Sequence, residues 1–232
     1  MKEGIFYGVS VGPGDPELMT RKAVRVIEEC GVIVAPMTKG EKTLALDIAR
    51  GAANLSRKEI VPIEFLMTRD REAQRQRHME IAEQIAGYLR GGQDVAMLNL
   101  GDVSIYSTFS YIHQLIVQQG FETEIIPGVT SFCAVAAKLK TSLTTMAEPL
   151  TIIPASHGQT EAALATPGTK VLMKAGRALG EVKEALQQAG LYERAMLVKN
   201  CGLPEEQVCR SMDEAGDDMG YFATIVVGGE KE

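Results

Sequence analysis

The sequence predicts an α/β fold made of two successive α/β domains, residues 1–141 and 142–232. Three observations predict it. Short apolar runs of strand length alternate with amphipathic stretches of helical period. Two strand-to-helix junctions, Gly12-Pro13-Gly14-Asp15-Pro16 and Gly101-Asp102, put glycine where a parallel strand has to turn sharply. The segment from Lys140 to Pro149, rich in Thr and Ser and without a period, separates one α/β set from the next.

Taken in order, Gly4 to Val11 reads as the first strand and Glu17 to Cys30 as a helix, with Leu18, Ala23, Val26 and Ile27 on its apolar side. Val32 to Ala35 is a second strand, stopped by Pro36. Residues 41–55 read as a helix and Glu59 to Ile63 as a strand. The polar run Met67 to His78 leads into a helix through Ile81, Ile85 and Leu89 that ends at Gly91-Gly92. The run Val95 to Leu100 has the character of a strand buried on both faces. Beyond its Gly-Asp turn, Ser107 or Thr108 can cap a helix carrying Phe109, Ile112 and Ile116. Glu122 to Ile126 is a strand, and Pro127-Gly128-Val129-Thr130-Ser131 turns it into a helix of small residues. In the second domain, strands are expected at Leu150–Pro154, Lys170–Lys174, Ala195–Val198 and Tyr221–Val227. Helices are expected around Leu179–Leu186 and at Glu205–Met212.

Composition narrows the function. A net charge of −6, without any basic block carrying interleaved aromatics, argues against nucleic-acid binding. No apolar run approaches the ~18 residues a membrane span requires, and the start has no signal-peptide shape, so a cytoplasmic protein is expected. The four cysteines, Cys30, Cys133, Cys201 and Cys209, never form a close pair, and His78, His113 and His157 are scattered. Reduced thiols and no metal site are expected. A dinucleotide reading of Gly12-x-Gly14 fails on its chemistry. Glu17 stands at the third glycine position, Pro13 and Pro16 remove amide donors, and Asp15 is negative where a phosphate would sit. There is no nucleophile elbow, Walker loop or zinc-protease helix. Turns, hydroxyls and one or two carboxylates suit a site that aligns two reactants, as transfer from an already activated methyl donor requires.

Three ordered motifs carry a resemblance. Val11-Gly12-Pro13-Gly14-Asp15-Pro16-Glu17-Leu18-Met19-Thr20 is similar to the N-terminal signature of the tetrapyrrole (corrin/porphyrin) methylases. Leu100-Gly101-Asp102 through Tyr106-Ser107-Thr108 resembles their second signature, and Ile126 to Ser131 their third. With the Met67-Thr68-Arg69-Asp70 stretch, the forms here look most like the precorrin-2 and cobalt-factor II C-20 methyltransferases.

The resemblance implies a homodimer that binds S-adenosylmethionine in an active-site cleft between the two α/β domains. It implies methyl transfer to carbon 20 of precorrin-2 or cobalt-factor II in cobalamin corrin-ring biosynthesis. The donor would lie against Gly101, Asp102, Val103, Tyr106, Ser107 and Thr108, with Thr130 and Ser131 as a second pair. Met173, Lys174, Asn200, Cys201, Ala223 and Thr224 would meet it from the second domain. Where relatives often carry Tyr-Met-Gly, this chain has Met173-Lys174-Ala175. Asp102 and Asp15 are the carboxylates available as base or as electrostatic partner of a sulfonium. Pro13, Gly14, Asp15 and Arg21 are expected at the acceptor mouth. A polycarboxylate acceptor on an acidic protein calls for local cations, and Arg21, Lys22, Arg25 and the Arg69–Arg77 run supply them. The alternatives are methylation of another tetrapyrrole, a nucleotide-linked oxidoreductase, or ligand binding without catalysis.

Overall fold

The computed structural model describes residues 2–37, 43–68, 70–155, 159–216 and 219–228. Arg69 and His157, both named above, lie outside them. The chain forms two compact units, Met1–Thr130 and Ser131–Glu232.

The first unit holds a five-stranded parallel sheet: β1 (Phe6–Ser10), β2 (Val32–Met37), β3 (Glu59–Glu64), β4 (Val95–Asn99) and β5 (Thr123–Ile126), in the order β3-β2-β4-β1-β5. The inner strand β4 is buried at every residue, as its unbroken apolar run requires. Helices α1 (Arg21–Glu29), α2 (Leu44–Ala52), α3 (Arg71–Arg90) and α4 (Phe109–Gln118) connect the strands. The order places the site. The chain leaves β1 across β4 to reach β2, and leaves β4 across β1 to reach β5. The two crossovers diverge between β1 and β4, so a crevice opens at their carboxyl ends, the preferred ligand position in such sheets.

Local chemistry explains the departures from the predicted boundaries. The expected helix from Glu17 is two pieces. Asp15 caps a short 3-10 turn over Pro16–Leu18, and Thr20 then caps α1 by accepting from the Ala23 amide at 3.1 Å. Strand β2 runs through Pro36. Its pairing to β4 ends at Val34, so the missing proline amide leaves no inner-ladder bond unmade. From Arg71 onward the polar run before Ile81 is itself helical, because the Asp70 carboxylate caps α3 at the Glu72 and Ala73 amides.

The second unit holds a mixed sheet: β6 (Leu150–Pro154), β7 (Thr169–Met173), β8 (Ala195–Lys199), β9 (Gln207–Cys209) and β10 (Ala223–Val227), in the order β6-β7-β10-β8-β9. Only β6 and β7 pair in parallel; β10 is antiparallel to β7 and β8, and β9 to β8. Helices α5 (Ser131–Leu139), α6 (Thr160–Leu164) and α7 (Leu179–Gln188) belong to this unit. One expectation changes here. The predicted helix Glu205–Met212 is instead β9 followed by a 3-10 turn at Met212–Glu214, because Val208 and Cys209 complete the ladder on β8. Helix α5 packs on β8 and β10, within the unit that begins at Ser131. No described helix is long and apolar enough to cross a membrane.

One close contact fixes α4 on the sheet. The Phe109 ring stacks on Phe6 with centroids 5.4 Å apart, directly over Gly8, where an added Cβ would come within 2.3 Å of the ring. Gly8→Ala is therefore expected to lower stability by about 1–3 kcal/mol, measured as a reduced urea midpoint with an unchanged slope.

Candidate active site

Three turns at the carboxyl end of the first sheet interlock. Val11 donates its amide to Asn99 O at 2.9 Å, which continues the β1–β4 ladder one step past the strands. Gly12 and Gly101 then form a reciprocal backbone pair, Gly101 N to Gly12 O at 2.7 Å and Gly12 N to Gly101 O at 3.3 Å. Both have positive φ, 76° and 71°, a conformation glycine adopts without the Cβ penalty. The third turn comes equally close. A Cβ on Gly128 would lie 2.4 Å from Ser10 Cβ and 3.1 Å from Gly101 O.

Side chains complete the lock. Ser10, fully buried, accepts the Val103 amide at 2.9 Å. The Asp102 carboxylate reaches both ways: Oδ1 accepts the Ser104 amide at 2.8 Å and the Ser104 hydroxyl, and Oδ2 accepts the Gly128 amide at 2.8 Å. Burial raises the pKa of this group. The bonds from the Ser104 hydroxyl, the Gly128 amide and the Ser104 amide outweigh burial and hold it below its ordinary value of 3.8. Asp102 is thus an ionised brace between two loops.

Below the loop, buried Asn99 donates to Met97 O at 3.1 Å and accepts the Ser107 hydroxyl at 2.6 Å. Ser107 in turn accepts the Phe109 amide at 3.1 Å, so Ser107, and not the Thr108 side chain, caps α4. Tyr106 between them has φ 48° and is 46 % exposed. Thr130, on the third turn, has a buried hydroxyl with no hydrogen-bond partner among the described residues. An unpaired buried hydroxyl is costly, so its position fits a bound polar group.

The first turn is tighter than its sequence suggests. Pro13 and Gly14 are buried, and Asp15 uses Oδ1 to cap the Glu17 amide at 2.9 Å. Arg21 is exposed. Lys22 pairs with Glu124 and Arg25 with Glu29, so both of these cations are already committed. Arg77 donates to Glu64 O at 3.0 Å and to Glu80 at 3.1 Å.

In the second unit, the expected residues gather at one end of the sheet. Met173 closes β7, with Lys174 at φ 58° just beyond it. Asn200 at φ 51° and Cys201 follow β8, and Ala223 and Thr224 open the antiparallel β10 that lies between those strands. The Asn200 amide donates to Phe222 O at 3.0 Å. Gly176 has no room for a side chain, since a Cβ there would meet Gly220 O at 1.7 Å. Cys201 is poorly suited to act as a nucleophile. Burial first, then Glu206, pushes its thiol up to about 11. Among the described residues no group of three or more His, Cys, Asp or Glu is arranged to hold a metal ion.

Gly101, Asp102, Ser107 and Thr130 stand out in the sequence; Ser10 and Asn99, which hydrogen-bond to Val103 and Ser107, do not. A polar residue at the carboxyl end of an otherwise apolar inner strand was the available signal in both cases.

The sequence model of the Tetrapyrrole (Corrin/Porphyrin) Methylases matches residues 6–214. The chain is 34 % identical over 234 residues to the cobalt-precorrin-2 C(20)-methyltransferase of Salmonella typhimurium, covering 99 % of this chain and 98 % of that one. It is 26 % identical over 238 residues to a precorrin-2 C(20)-methyltransferase from Sinorhizobium sp, with 99 % and 97 % covered. Among solved structures, the fold is similar to uroporphyrin-III C-methyl transferase from Thermus thermophilus complexed with S-adenyl homocysteine. The TM-score is 0.70, at 21 % identity, with 97 % of both chains covered.

Asp102→Asn puts an amide NH2 against a backbone N–H on one side or the other. It is expected to cost about 1–3 kcal/mol. The sign of the acid dependence follows from the depressed pKa. The Asp102 contribution is complete above the unfolded-state value and is lost as pH falls through it and through the lower folded value. Urea titrations at pH 7 and near pH 3 are expected to show the variant's deficit shrinking in acid.

Proposed function

Because the chain belongs to the tetrapyrrole (corrin/porphyrin) methylase family, we propose that the interlocked Gly101–Thr108 loop holds the methyl donor for transfer to carbon 20 of precorrin-2 or cobalt-factor II. The enzyme is an S-adenosylmethionine-dependent C-methyltransferase of cobalamin corrin-ring biosynthesis. The likeness to two C-20 methyltransferases over nearly their whole lengths supports the position of transfer. The single structural observation that carries the donor site is the unpaired, buried Thr130 hydroxyl on the turn that Asp102 ties to the donor loop. S-adenosylmethionine, when bound, supplies a methyl made electrophilic by the adjoining sulfonium.

The residues then divide the work. Gly101 to Tyr106 offer backbone in conformations that the Gly12 pair, Ser10 and Asp102 hold rigid, so alignment is set before the donor arrives. Thr130 gives a hydroxyl to a polar group of the donor, and Ser131 follows it at the start of α5. Ser107 and Thr108 stand at the loop's far end. Asp102 is a positioning residue. Its two oxygens already accept three hydrogen bonds, and its low pKa makes it a poor base. Its negative charge also lies where it favours a cation bound at the loop. Met173, Lys174, Asn200, Cys201, Ala223 and Thr224 provide the donor contacts of the second unit, largely through backbone that positive φ values turn at Lys174 and Asn200. Pro13, Gly14 and Asp15 shape the acceptor side, with Arg21 as a cation there. A homodimer in the cytoplasm is the working state on this reading.

Two measurements test it. Incubated with S-adenosylmethionine, the protein is expected to add one methyl to precorrin-2, to cobalt-factor II, or to both, read by product mass and by NMR assignment to carbon 20. Methylation of uroporphyrinogen alone would overturn the assignment. Thr130→Val keeps the side-chain shape and removes the hydroxyl. It is expected to weaken donor binding by roughly tenfold, measured by calorimetry with S-adenosylhomocysteine, with little change in the KM for the tetrapyrrole.

A further inference from the structure

We infer that the first two turns of α3, with Arg71 and Arg75, form a binding surface for the peripheral carboxylates of the tetrapyrrole acceptor. This rests on the proposed function above and deepens it.

The placement follows from the connections. Helices α3 and α4 each link parallel strands, so both run opposite to the sheet direction, and they pack side by side. His78 of α3 stacks on Tyr111 of α4, with ring centroids 4.9 Å apart and planes at 11°. Tyr111 lies in the first turn of α4. Helix α3 therefore starts well before α4 does. At 1.5 Å per residue, Arg71 lies about 10 Å beyond His78 along the axis. The Arg77 bond to Glu64 O marks the level at which β3 ends. The turns before Arg77 thus overhang the carboxyl end of the sheet, the end that carries the Gly101–Thr108 loop.

The surface there is unusual in two ways. Its cations are uncommitted: Arg71 and Arg75 make no ion pair or hydrogen bond among the described residues, while Arg77 and Arg90 on the same helix are paired with Glu80 and Glu83. Spaced by four residues, with His78 three further on, Arg71 and Arg75 share one stripe of the helix. Of the two acids where the helix opens, the Asp70 carboxylate caps two amides, and Glu72 in the first turn makes no ion pair with either arginine. Its apolar side chains are also left in solvent. Leu66, Met67, Tyr106 and Tyr111 are 44, 77, 46 and 55 % exposed. They lie on the segment before α3 and around the start of α4, at this same end.

A tetrapyrrole presents a broad apolar ring bordered by carboxylates. Exposed apolar side chains and a flat Tyr-His stack flanked by two unpaired guanidiniums match that chemistry. In a chain of net charge −6, an anionic ligand has few places to land, and two cations without partners make this one of them.

The test is steady-state kinetics with precorrin-2 or cobalt-factor II, whichever the wild type methylates. Arg71→Gln/Arg75→Gln is expected to raise the KM for the tetrapyrrole roughly tenfold or more. The kcat, the KM for S-adenosylmethionine and the thermal midpoint are expected to stay near wild type. Arg71→Lys/Arg75→Lys, which keeps both charges, is expected to recover most of the loss, and Arg90→Gln at the far end of α3 to change nothing. A wild-type tetrapyrrole KM in the double Gln variant overturns the surface while leaving the methyltransferase reading intact. So does a change in oligomeric state without a change in KM, which would make the surface a contact between copies. A wild-type protein that methylates no tetrapyrrole removes the reading on which the proposal stands.

Discussion

The reciprocal backbone pair between Gly12 and Gly101 is the constraint on which the first unit's site depends. Two turns that follow different strands can hydrogen-bond in both directions only if their backbones come within contact distance, and glycine at positive φ on each side permits that. With the pair made, the loop after Gly101 starts from a fixed position and direction. Ser10, Asp102 and the bare backbone of Gly128 then extend the same fixation to a third turn.

A rigid loop suits the chemistry of the family. An activated methyl donor needs no strong base or nucleophile from the protein; it needs the reacting atoms aligned and water kept away. The polar groups around the Gly101–Thr108 loop are mostly committed to one another, in Ser10 to Val103, Asp102 to Ser104 and Gly128, and Asn99 to Ser107. That makes the site a shaped backbone surface, and it explains why a carboxylate at its centre is better read as a brace than as an acid or base. The Thr130 hydroxyl departs from the pattern, buried and without a hydrogen-bond partner among the described residues.

Much of this was legible in the residues. The apolar run Val95–Leu100 reads as an inner strand, and Gly101-Asp102 after it as a sharp turn at a parallel strand's end. What escaped was interior polar chemistry. Asn99 and Ser10 sit at the ends of strands otherwise filled with apolar side chains, and their partners are 8 and 93 residues away in sequence. No local pattern encodes such pairs. The segment Glu205–Met212 was misread for a related reason. Its local preference for a helix was weaker than the ladder offered by the edge of β8, a partner that exists only once the sheet has formed.

The sequence by itself determined the α/β class, the order of most elements, the positions of the glycine turns at the strand ends and the family. Each of these depends on local periodicity, on glycine's backbone freedom or on short contiguous motifs. Tertiary structure alone decided which strands are neighbours, that α5 packs in the second unit, that Asp102 is bound on both oxygens, and that Arg71 and Arg75 have no ion-pair partner among the described residues while Lys22, Arg25 and Arg77 do. Those outcomes depend on which groups meet across distant stretches of chain. A charge or a hydroxyl has the same letter in the sequence whether its partner is a neighbouring residue, a ligand or water.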